Sequence, residues 1–137
     1  MRMPFKISEF CITYGDVPQD VADKILTHHI VPMLVVRKEM GAPITASQNS
    51  GYRSYKYERS KGRSGNSQHT FKGKGAVDWK AKDLDKLEEL IIKHTDYTRV
   101  TRYKNFIHCD YAPTAGNHRQ YFVSGGDSKW KFIKNLD

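Results

Sequence analysis

The sequence predicts an α+β fold, a small antiparallel sheet with its helices packed on one face. Three observations carry this. A long run of helical spacing fills residues 17–40, a second amphipathic pattern spans residues 83–94, and short β-type runs cluster on both sides of that second pattern. Internal repeats and low-complexity segments are absent.

Taken in order, Asp16 before Val17-Pro18 reads as a helix start, because proline near a first turn forfeits no hydrogen bond. Val21, Ile25, Leu26 and Ile30 then recur at helical spacing. Pro32 should kink or restart the helix, Met33, Leu34 and Val36 continue its apolar face, and Gly41 and Pro43 end it. Ile44-Thr45-Ala46 is a short strand candidate, followed by a basic, turn-rich segment to Lys74. Ala76 to Trp79 reads as a strand. The helix at residues 83–94 places Leu84, Leu87, Leu90 and Ile91 on one face. Runs at 98–103 and 106–111, split by a tight Lys104-Asn105 turn, predict two more strands. A short strand at 120–124 and an aromatic tail with Trp130 and Phe132 complete the chain.

At 137 residues the chain predicts one domain, residues 1–137, large enough to bury a core. Two cysteines, Cys11 and Cys109, are too few for a disulfide framework. The opening MRMPFKISEF has a charge but no apolar run behind it, and no stretch approaches the roughly 20 apolar residues of a membrane span. These features predict a soluble protein made in the cytoplasm without a signal peptide. The formal net charge of +8 calls for an anionic neighbour: nucleic acid, anionic cell-wall polymer or a membrane surface. The densest basic segment, residues 53–74, interleaves Tyr52, Tyr55, Tyr57 and Phe71 at its edge and within it, a composition that can stack on bases. A solvated basic loop explains it equally simply, and no nucleic-acid motif accompanies it.

Pleat alternation gathers the chemistry. In FIHCDY, Phe106, His108 and Asp110 share one face and Ile107, Cys109 and Tyr111 the other. In GAVDW, Ala76 and Asp78 face oppositely to Val77 and Trp79. The apolar members form a core-facing set, and Cys109 goes with them as a core thiol. Asp78, His108 and Asp110 are left on the open face, within reach of His69 if its loop folds back. Two histidines and a carboxylate with a fourth position open make a hydrolytic zinc site. Each piece also has a plainer explanation: a satisfied strand histidine, an aspartate beside a glycine turn, a chance H-x-D.

The ordered segments SGYRS (50–54), SQH (67–69), AVD (76–78) and FIHCD (106–110) resemble the zinc D-Ala-D-Ala carboxypeptidase family, which shares its metal site with hedgehog-type domains. ISEF near the start, the helix after Val17-Pro18 and GAPITASQNSGYRS extend the likeness over nearly the whole chain, toward the small branch often encoded by phages. The resemblance implies that His69, Asp78 and His108 bind Zn²⁺. It implies that Arg53 holds the substrate's carboxylate or carbonyl, a role suited to a planar fork of donors. Ser67 and Gln68 would position the loop or donate to substrate, or serve simply as turn residues. His118, after the 113–117 loop, is a further candidate substrate contact.

Two features depart from the family. Its members usually leave six residues between the first histidine and the aspartate, whereas this chain has eight, 70–77. A longer hairpin tip absorbs the pair if both ligands sit at its base. Many members also carry an acid three positions before the last zinc histidine; here that position is Asn105, which cannot act as a base. Asp110 is the nearest substitute. It is either the candidate catalytic base or a carboxylate that orients His108.

The expected function is a zinc metallopeptidase acting on bacterial peptidoglycan, with the peptide as substrate and anionic wall polymer as partner, reaching the wall after phage lysis or within a virion. The alternative is a non-catalytic, zinc-stabilised wall-binding or virion module. Nucleic acid is the weakest partner.

Overall fold

Val21, Ile25, Ile30, Met33 and Val36 turn inward from one long helical segment, and that apolar stripe sets where the sheet must lie. The computed structural model describes residues 5, 10, 17–46, 52, 59–62, 67–125 and 129–137. Asp16 and Cys11 lie outside the described residues. Helix α1 (Gln19–Ile25) follows Pro18, and α2 (Val31–Met40) ends at Gly41 in the left-handed conformation, φ 66°.

Pro32 does restart the helix, through one π-helical turn at Leu26–Ile30, where the Val31 N–H reaches back to the Leu26 carbonyl. In an α-helical ladder Pro32 would have no N–H for the His28 carbonyl. The Tyr111 hydroxyl donates to that carbonyl instead, at 2.6 Å.

The sheet has six strands: β1 (Ile44–Ala46), β2 (Ala76–Ala81), β3 (Arg99–Arg102), β4 (Ile107–Asp110), β5 (Gln120–Ser124) and β6 (Trp130–Asn135), in spatial order β1-β2-β4-β3-β5-β6. Helix α3 (Leu84–His94) begins at Asp83, whose carboxylate accepts from the Lys86 N–H at 3.0 Å.

Two expectations change. The sheet is mostly antiparallel, but β5 pairs with β3 in parallel. The chain leaving β4 steps over the end of β3 and returns antiparallel to β4, so it runs parallel to the strand it lands beside. The tail is also no mere tail: residues 130–135 form β6, an edge strand antiparallel to β5. Its alternation is masked in the sequence by lysines at 129, 131 and 134.

One face of the sheet meets the helices. Val77, Trp79, Val100, Ile107 and Cys109 bury there against Leu87, Ile91 and the stripe of α1 and α2. Trp79 is edge-on to Phe5 and Phe10, with ring centroids 5.4 Å away in each case. Cys109 is fully buried on this face, and desolvation pushes its thiol well above the ordinary range, as a core thiol requires. The opposite face is left for chemistry.

Candidate metal centre

Register places the open-face residues. Asp78 is paired with His108, and His108 with Thr101, while Asp110 lies opposite both Ala76 on β2 and Arg99 on β3. His69 arrives from the loop before β2. There the Ser67 hydroxyl accepts from the His69 N–H at 3.1 Å and caps a single 3₁₀ turn, Gln68–Thr70.

The loop from 70 to 77 is held so that its length does not separate His69 from Asp78. Phe71 turns the chain in the left-handed conformation, φ 57°, and its carbonyl accepts from Lys24 Nζ at 2.8 Å. Gly75, φ 88°, lies under the Phe71 ring, where a Cβ would stand only 2.1 Å from ring carbon. The Lys74 carbonyl accepts from His29 Nε2–H at 2.9 Å, which leaves His29 Nδ1 to accept the Tyr97 hydroxyl at 2.8 Å. Trp79 Nε1–H donates in turn to Tyr97 at 3.2 Å. This buried chain ties the loop before β2 to the π-turn. Burial, only partly offset by the Lys74 carbonyl, lowers the His29 pKa to about 3 and keeps the ring neutral.

His69, Asp78 and His108 are thereby brought together, all buried, with one ligand atom from each within 4.8 Å of the others. Asp78 Oδ1 is 2.8 Å from His108 Nδ1 and 3.5 Å from His69 Nε2. Ligands about 2.0–2.1 Å from a tetrahedral zinc stand roughly 3.3 Å apart, so these separations fit that ion with little movement. The donor set, two imidazoles and a carboxylate, also suits zinc.

Asp110 is fully buried behind the trio. Its Oδ2 accepts from His108 Nε2–H at 2.7 Å and from Arg99 Nη2 at 2.6 Å. Its Oδ1 accepts from Arg99 Nε at 2.8 Å and from the Ala112 N–H at 3.0 Å. Desolvation opposes its ionisation, but His108 and Arg99 together hold the carboxyl far below the usual range. Asp78 is depressed likewise, its burial outweighed by His69 and His108. Of the two roles open to Asp110 in the sequence, this geometry fits orientation of His108 Nδ1 toward the ion.

His69, Asp78 and His108 line a cleft of about 520 Å³, together with Ser67, Arg99, Tyr103, Phe106 and Trp130. Gln68 and His118 are not brought to it; His118 Nδ1 lies 3.4 Å from Asp137 instead. Arg53 lies outside the described residues. Arg99, Tyr103, Phe106 and Trp130 had no place in the sequence-derived site. Counting equal steps back from the Lys104-Asn105 turn does pair Arg99 with Asp110, a signal that was there to read.

A family model described as peptidase M15 matches residues 3–110. No curated protein and no solved structure shows significant similarity to the chain.

Proposed function

The chain belongs to the peptidase M15 family, and on that premise we propose a zinc-dependent metallopeptidase that hydrolyses peptide bonds of bacterial peptidoglycan. It would act as a D-Ala-D-Ala carboxypeptidase or an endolysin-type endopeptidase and be phage-encoded. The observation that carries this reading is the buried His69, Asp78 and His108 trio at a cleft on the sheet face turned away from α1, α2 and α3.

Zinc, when bound, would polarise the scissile carbonyl and bring the pKa of a water to about 7. The chain's own residues do the rest. Asp110 accepts a hydrogen bond from His108 Nε2–H and so presents Nδ1 as the ligand atom. Arg99 clamps Asp110 through two of its nitrogens. Ser67 fixes the turn that delivers His69 and lines the cleft beside it. Arg53 is the proposed holder of the substrate's carboxylate or carbonyl, and the basic surface suits anionic wall polymer.

One observation favours the second reading, a non-catalytic zinc-stabilised wall-binding or virion module. Among the described residues lining the cleft the sole carboxylate is Asp78, itself a ligand, and Asn105 replaces the usual acid. Digestion of purified peptidoglycan by zinc-loaded protein, read by mass spectrometry, separates the two. New peptide termini released by wild type and absent with His108→Ala support the peptidase. Wild type and His108→Ala giving identical digests would leave the binding module.

A further inference from the structure

One residue of the cleft wall beside His108, Trp130, comes from a strand outside the family match, which ends at residue 110. From β6, Trp130 lies with its ring centroid 5.0 Å from that of His108, and the Arg99 guanidinium carbon sits 4.6 Å from the Trp130 ring centroid. Trp130 Nε1–H donates to the Tyr103 hydroxyl at 2.6 Å, which fixes the angle of the indole. Arg99 is therefore gripped twice, by the indole on its face and by Asp110 along its Nε and Nη2 edge. Its Nη1 has no hydrogen-bond partner among the described residues, although the side chain lines the cleft and is 27% exposed.

An arginine held this way has lost its rotamer freedom before any ligand arrives, so little ordering remains to oppose binding. The planar fork left over matches a carboxylate. Asp110 does not compete for it, since both its oxygens are already engaged by His108, Arg99 and the Ala112 N–H. Apart from Asp78, no carboxylate faces Arg99 among the described residues of the cleft wall.

We propose that Arg99 and Trp130 form a carboxylate subsite beside the metal centre, so that the substrate is a peptide carrying an anionic group next to the bond cut. This rests on the peptidase reading for its context, and it adds a second anchor beside His108, with Arg99 contributed by β3 and Trp130 by β6. The chain has two tryptophans, Trp79 in the core and Trp130 here, so the indole N–H resonances report separately on the fold and on the subsite.

The test uses the zinc-loaded full chain, labelled with ¹⁵N, titrated with acetyl-Ala-Ala as its free acid and as its C-terminal amide. The free acid is expected to bind about tenfold tighter and to shift the Trp130 indole signal while that of Trp79 stays in place. Arg99→Gln, with its zinc content verified, is expected to bind both peptides within about threefold of each other. Retained preference for the acid in Arg99→Gln, or binding of the acid without a Trp130 shift, would overturn the subsite. If the acid shifts Trp130 as expected but peptidoglycan is never cut, the subsite stands and the peptidase reading falls. If peptidoglycan is cut while acid and amide bind alike, the reverse holds.

Discussion

Asp110 shows at the scale of one side chain how the centre is organised, because each of its oxygens has a separate task. One oxygen accepts a hydrogen bond from His108 Nε2–H and the other from the Ala112 N–H, while Arg99 bridges both. Asp110→Asn keeps the shape but cannot accept from all of these donors. It is expected to weaken zinc binding by about 10–100-fold, measured by competition with a chromogenic chelator, with far-ultraviolet circular dichroism unchanged. His29 makes a second prediction at this scale. Its folded pKa of about 3 lies below the unfolded value near 6.5, so between those limits the unfolded chain binds a proton that the fold refuses. Stability should therefore fall as pH drops from about 6.5 toward 3, by up to about 1.4 kcal/mol per pH unit from this residue. Urea titrations across that window should show the slope in wild type and a reduced slope in His29→Gln. Equal slopes would remove His29 as the source.

At the scale of elements, the connection from His69 to Asp78 is a loop leaving a 3₁₀ turn, not the hairpin expected from the sequence, and it depends on one glycine and one buried imidazole. Gly75→Ala would require φ 88° of a residue with a Cβ and drive it into the Phe71 ring. We expect a loss of roughly 2–4 kcal/mol in denaturant unfolding, with zinc affinity falling as the two ligands part. A change below about 0.5 kcal/mol would show that the tip is not so tightly held. Tyr111→Phe removes the donor to the His28 carbonyl above Pro32 and should cost about 1–2 kcal/mol by the same measurement. Much of this scale was legible in the sequence. The pleat of FIHCDY and GAVDW sorts Cys109 and Trp79 into the core and His108 and Asp78 out of it, as the structure bears out. What stayed hidden depended on contacts distant in the chain. Nothing local in WKFIKN distinguishes an edge strand from a basic aromatic tail, and only the pairing with β5 does so. Arg99 was accessible through the hairpin register, whereas Trp130 needed the sheet order itself.

At the scale of the whole molecule, the six-stranded sheet separates two tasks. Its helix-side face holds the apolar core, and its open face holds a cleft whose buried charges are matched in pairs. Among the described residues no helix is long and apolar enough to cross a membrane. A metal that binds only the folded centre must stabilise the fold by mass action, by about 4 kcal/mol at a thousandfold excess over its Kd. Adding a strong chelator should lower the melting temperature of wild type, and far less that of His69→Ala, which lacks a ligand to lose. The proposed metal centre requires that His69, Asp78 and His108 together hold one zinc. Anomalous diffraction from crystals grown with zinc, at the metal's absorption edge, tests it most directly. A single peak is expected, bonded to His69 Nε2, Asp78 Oδ1 and His108 Nδ1 at about 2.0–2.2 Å. A peak elsewhere, or none at this trio in zinc-saturated protein, would contradict it.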